Sequence, residues 1–250
     1  MRFLNIALIV VAGLLGALIG IVASNLPMGD GATMDDAVFA ERVREALIAE
    51  PEILRDAFYA LDAQQRDAEM TALQDAIARN YSLIESAPAA FEGGNPDGDL
   101  TIVEFFDYEC GFCRRAQEPF HAMVEADGNI RVIYFELPIL GETSYRAALA
   151  ALAADRQGLY MPFHDAAIAS SDRLTDETIF EIASDVGADI DQLRADMDDP
   201  EIASRIQANM QLGDALTVNS TPTYIVGGAA SLGWNEERMR DLITAARERD

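Results

Sequence analysis

The chain has 250 residues, half of them hydrophobic, and carries a formal charge of −25 from 43 acids against 18 cations, all Arg. That balance argues against nucleic-acid binding, which needs basic surface against phosphate, and the apolar content argues against a disordered chain. Two cysteines are too few for a disulfide scaffold or a four-Cys zinc site.

Phe3 to Ala23 are apolar apart from Asn5, with Arg2 ahead of them and no acid before Asp30. The length suits a bilayer span, and Val22-Ala23-Ser24-Asn25 makes a passable cleavage site. Residues 1–25 are therefore expected to be a signal anchor or a signal peptide. Either reading puts the rest outside the cytoplasm, periplasmic and anchored to the inner membrane by residues 3–23, or secreted after cleavage. Residues 26–34, with Pro27, Gly29 and Gly31, read as a linker.

Residues 35–86 read as a helical extension. Val43, Leu47, Leu54, Phe58 and Leu61 recur at helical spacing, as do Leu73, Ile77, Tyr81 and Ile84. The stripe is narrow and has to pack on something. It either folds back on its own chain or forms a homo-oligomer through residues 35–84, burying Leu54, Phe58, Leu61, Leu73 and Ile77.

Ala87 to Asp99, rich in Gly and Pro, reads as a loop. Leu100–Phe106 is a strand apolar on both faces and so central. A helix over Arg114–Ala126 and a strand over Ile130–Phe135 follow. Residues 143–216 carry Ala, Leu and Ile at helical spacing and suggest four or so helices. Thr223–Val226 is a short strand, Gly227-Gly228 a turn before another strand, and Asn235–Arg249 the last helix. This order gives an α/β sheet domain with a helical insertion.

Cys110-Gly111-Phe112-Cys113 follows the central strand and opens a helix. Thiols three apart at a helix start can close a small disulfide, and the helix N-terminus favours the thiolate of the first. Cys110 is then the attacking thiolate and Cys113 the resolving thiol. Glu104 sits among Ile, Val and Phe in the central strand, where burying a carboxylate is costly unless it is neutralised; it reads as a proton carrier for the cysteine pair. Thr221-Pro222 stands at a strand entrance, where an X-Pro bond can be cis and leave Thr221 backbone groups for an extended substrate. His121 and His164 read as packed or surface histidines, with no metal or cofactor expected.

The run Glu104-Phe105-Phe106-Asp107-Tyr108-Glu109-Cys110-Gly111-Phe112-Cys113-Arg114-Arg115, with Phe135-Glu136-Leu137-Pro138-Ile139-Leu140-Gly141 and Ser220-Thr221-Pro222-Thr223, resembles the DsbA-like thioredoxin-fold proteins, and among them the ScsC (suppressor of copper sensitivity) branch. The resemblance implies an α/β thioredoxin fold over residues 87–250, with its helical insertion at about 143–216. It also implies a cis Pro222 and thiol–disulfide exchange outside the cytoplasm. Cys110, Cys113 and Glu104 take the catalytic roles, and Thr221 and Pro222 bind substrate. Partners would be unfolded or misoxidised secreted proteins and a membrane redox partner. Gly111-Phe112 departs from the Pro-His of strong oxidants, which removes a His from beside the Cys110 thiolate. The alternative is a copper-binding or chaperone-like module using the two thiols as a soft-metal site.

Overall fold

A computed structural model of the chain describes residues 36–87, 91–170 and 174–249, so the expected anchor or signal segment and the linker lie outside the described residues. The chain divides into a unit ending at Asp62 and a unit from Ala63 to Asp250. The first contains α1 (Asp36–Ala49) and the start of α2 (Glu52–Ser86). Pro51 lies between the two helices, just ahead of α2, where its missing N–H breaks no helical bond. Phe39, Ile48, Phe58 and Leu61 of this unit are exposed.

In the second unit, five strands among the described residues form one sheet, ordered β1-β3-β2-β4-β5. They are β1 (Phe91–Gly94), β2 (Leu100–Phe106), β3 (Ile130–Glu136), β4 (Thr223–Val226) and β5 (Ala229–Leu232). β2 runs parallel to β3, and the remaining pairs are antiparallel. β2 and β3 are joined by α3 (Gly111–Asp127). Between β3 and β4 come α4 (Glu142–Asp155), α5 (Tyr160–Ala169), α6 (Asp176–Asp185), α7 (Ile190–Met197) and α8 (Pro200–Leu216); α9 (Glu236–Arg247) ends the unit. This is a thioredoxin-like α/β fold with a helical insertion of five described helices, one more than the sequence suggested.

Alternation along β2 splits the core in two. Ile102 and Phe106 join Phe120 and Met123 of α3 and the inserted helices in one cluster. Val103 and Phe105 face the other way, onto Leu73, Ile77, Leu212 and Leu216. Leu73 and Ile77 are therefore core residues of the second unit, at 1% and 0% exposure, and cannot line a self-association stripe with Leu54 and Phe58. The boundary between units falls after residue 62, because the later turns of α2 join α8 in covering this face of the sheet.

β1 replaces part of the loop expected before Asp99. Phe91-Glu92-Gly93-Gly94 has no strand pattern of its own, and pairing with β3 makes it one. Gly94 has φ +67°, and a Cβ there would meet the Ile130 carbonyl oxygen at 2.4 Å, so glycine is needed at this approach.

Candidate active site

Cys110 is the N-cap residue of α3, extended at φ −74° and ψ 110°, and its N–H donates to the Asp107 carbonyl at 3.1 Å. Gly111 and Phe112 are exposed, while Cys110 and Cys113 are buried as free thiols. The Cys110 thiol donates to the Thr221 carbonyl oxygen at 3.1 Å, across the peptide that joins Thr221 to Pro222 in the cis form. The chain thus brings Cys110, Cys113, Thr221 and Pro222 together from segments more than 100 residues apart.

The two thiols are polarised in opposite directions. The Cys113 thiol hydrogen-bonds the Cys110 sulfur and, with the Thr221 side chain and the N–H groups of Phe112 and Cys113, lowers the Cys110 pKa to about 5 against the cost of burial. Burial drives Cys113 far up, helped by its bond to Cys110 and by the nearby Glu104 carboxyl. At neutral pH the pair therefore holds one thiolate, on Cys110, and one thiol.

Glu104 sits at the middle of β2, paired with Tyr134 of β3 on one side and Tyr224 of β4 on the other. It is buried, and its Oε2 has no hydrogen-bond partner among the described residues. Burial raises its pKa to about 8, which Tyr224 partly offsets. A carboxyl so placed is neutral at pH 7 and holds a proton beside Cys113.

A second buried acid escaped the sequence reading. Glu136 ends β3 beside Phe106, and its Oε1 accepts from Tyr160 at 2.9 Å and Tyr108 at 3.2 Å. Burial pushes it up to about 8 as well. The signal was there: an acid closing an apolar strand is the same anomaly that drew notice to Glu104. Buried Asp107 bridges two loops, a role that nothing in its local sequence marks. Its carboxylate accepts from the Glu109 N–H at 2.8 Å and the Leu140 N–H at 3.0 Å, joining the cysteine loop to the loop after β3. Exposed Phe112, Ile139 and Leu140 give these two loops an apolar rim.

A dithiol at a helix N-terminus, a cis X-Pro bond beside it and a buried acid beneath it on the central strand define a thioredoxin-type redox domain. Residues 101–245, more than half of the chain, match the family described as DSBA-like thioredoxin domain, and the chain belongs to it. The chain is similar to a thioredoxin-like oxidoreductase from Silicibacter pomeroyi DSS-3, with 43% identity and a TM-score of 0.61 over 63% of this chain and 92% of that one. A linker-deleted variant of Proteus mirabilis ScsC shares the fold, with a TM-score of 0.64 over 88% of this chain and 100% of that one at 21% identity. Among curated relatives, the Na(+)/H(+) antiporter NhaA 3 of Salinispora tropica is 29% identical over 156 residues, 61% of this chain but 24% of the antiporter. The chain thus spans about a quarter of the length of that relative. No helix among the described residues is long and apolar enough to cross a membrane.

Proposed function

We propose that the protein forms or reshuffles disulfides in extracytoplasmic polypeptides through Cys110 and Cys113. The observation that carries this is the Cys110 sulfur at the start of α3, 3.1 Å from the Thr221 carbonyl oxygen and with its pKa lowered to about 5. In the oxidised enzyme a substrate thiolate attacks Cys110 Sγ, and Cys113 leaves as a thiolate that takes the proton of Glu104. A second substrate thiolate then attacks the substrate sulfur of the mixed disulfide and expels Cys110, a good leaving group because its pKa is low. The substrate loses two electrons and the cysteine pair gains them; a membrane redox partner removes them again. In the reshuffling direction the Cys110 thiolate opens a wrong substrate disulfide, and Cys113 releases the enzyme if the exchange stalls.

Thr221 and Pro222 line the side on which an extended substrate would lie, with the apolar rim of Phe112, Ile139 and Leu140 suited to unfolded chain. Glu104 and Thr221 also favour exchange over a soft-metal module, since a Cu(I) trap on two thiolates needs neither. The exposed apolar residues of α1 and the first turns of α2 serve self-association, which would hold several redox sites together. Ion transport is not carried over from the antiporter, of which the match spans a quarter.

The test is trapping. Cys113→Ser should accumulate a mixed disulfide with a reduced, unfolded secreted protein presented with an oxidant, and Cys110→Ser should not. Equal trapping by both variants, or by neither, overturns the reading.

A further inference from the structure

At the hydroxyl of Tyr108 lies a group of ligating side chains that disulfide exchange does not use. His121 comes from α3, and His164 and Asp165 come from α5; one ligand atom from each lies within 4.8 Å of the other two. His164 is 1% exposed. Its Nδ1 faces the Tyr108 hydroxyl at 3.2 Å, while its Nε2, equally buried, has no hydrogen-bond partner among the described residues.

The hydrogen bonds fix where the imidazole proton sits. The single hydroxyl hydrogen of Tyr108 goes to Glu136 Oε1, which accepts from Tyr160 as well and so is the unprotonated oxygen of that carboxyl. Tyr108 oxygen is left to accept, so Nδ1 of His164 carries the proton and Nε2 presents a bare lone pair. An orphaned lone pair in the interior is costly, and here it belongs to a nitrogen that binds metal well. Burial also keeps His164 neutral, with a pKa lowered to about 3.

We propose that His121, His164 and Asp165 form a binding site for a divalent transition metal, with Zn²⁺ the best fit. Two imidazole nitrogens and one carboxylate oxygen are a common three-residue zinc set that leaves a fourth position for water. His121 Nδ1 and Asp165 Oδ1 are 3.7 Å apart, close to the ~3.3 Å that ~2.0–2.1 Å bonds at a tetrahedral angle give. With metal on Nδ1, the proton of neutral His121 moves to Nε2, where the Tyr134 hydroxyl at 3.1 Å accepts it in place of the contact that Nε2 makes with Gln117 Nε2 at 3.2 Å. Gln117 steadies the carboxylate, donating to Asp165 Oδ1 at 2.9 Å, and Tyr108 steadies His164 by accepting from its Nδ1 at 3.2 Å. His121 and Tyr134 also line a cleft of about 420 Å³ with Met161 and Val124, which gives an ion its way in.

The metal would pin the helix that carries both cysteines to the inserted helical block. The test uses the oxidised full chain, in which Cys110 and Cys113 are bonded and cannot hold zinc, with excess Mg²⁺ to occupy plain carboxylates. One equivalent of Zn²⁺ should bind and raise the melting temperature. Asp165→Asn and His121→Gln, each at a partly exposed residue, should weaken binding at least tenfold. Substituting Co²⁺ should give the visible absorption of a four-coordinate ion. Absence of saturable Zn²⁺ binding, or binding unchanged in both variants, overturns the site.

Discussion

The Tyr108 hydroxyl donates to Glu136 Oε1 at 3.2 Å, so a residue two places before Cys110 is tied to the end of the neighbouring strand. The Tyr108 carbonyl also accepts from Arg114 Nε at 3.2 Å, closing the loop onto the helix it precedes. Tyr108→Phe removes the hydroxyl from both Glu136 and His164. The expected cost is about 1–3 kcal/mol, the range for leaving buried polar groups unpaired, measured by urea unfolding. The Cys110 pKa should not move, because the groups that lower it lie on Cys113, Thr221 and the first N–H groups of α3. A large shift there would mean that the Tyr108 anchor sets the thiolate as well.

Alkylation rate against pH should place the Cys110 pKa near 5. Its largest cause is the hydrogen bond from the Cys113 thiol. Cys113→Ala should therefore move the pKa up toward that of an ordinary thiol, whereas Cys113→Ser, which keeps an O–H donor, should move it less. If alanine leaves the value at 5, the helix N-terminus and Thr221 suffice alone.

Much of the thioredoxin unit was legible because its local signals agree with its fold. Leu100–Phe106 and Thr223–Val226 are strands with the expected bounds, and Cys110 opens a helix as its place after a central strand required. What was not legible depends on partners distant in sequence. Phe91–Gly94 is a strand only because β3 lies beside it. The helical periodicity of Leu73 and Ile77 looks like that of Leu54 and Phe58, yet only the first pair meets Val103 and Phe105. Periodicity says that a face is apolar and leaves open what covers it. The histidines were illegible for a related reason: His121 and His164 are 43 residues apart and meet only when α5 packs on α3.

Glu104 and Glu136 make stability pH-dependent with a definite sign. Each carboxyl is raised from 4.5 to about 8, so the native state binds more protons than the unfolded chain between those values. The contribution of these two carboxyls is then full below about pH 4.5 and is lost as pH rises through about 8. The loss amounts to several kcal/mol in order of magnitude at ~1.36 kcal/mol per pKa unit. Unfolding free energies of the oxidised chain, in which Cys110 does not titrate, should decline from pH 7, above the range of the buried His164, to pH 9, and Glu104→Gln should flatten part of the slope. The same variant should slow exchange near neutral pH and remove the inflection near pH 8 from the pH–rate profile of the step that releases Cys113. An unchanged profile would take Glu104 out of the mechanism, and stability of the oxidised chain rising between pH 7 and 9 would show that neither carboxyl is held neutral.

The division of the chain at residue 62 separates two consequences of trimming the N-terminal helices. Residues 63–86 carry Leu73, Ile77 and Ile84 into the core of the second unit. Removing everything up to Ile84 from a chain of residues 26–250 should lower the melting temperature sharply, since each such side chain contributes about 1.5–3 kcal/mol when fully buried. Removing everything up to Asp62 should leave the melting temperature and Cys110 reactivity close to those of the longer chain. Oligomeric mass should behave in the opposite way. Phe58 and Leu61, exposed at 69% and 60%, are the residues through which self-association is proposed, so light scattering should report an oligomer for residues 26–250. Phe58→Asp with Leu61→Asp, or removal of residues up to 62, should give a monomer with its redox chemistry intact. A chain of residues 26–250 that is already monomeric would leave these apolar residues without the proposed role, and with them would go the reason to expect several cysteine pairs to act together on one misoxidised substrate.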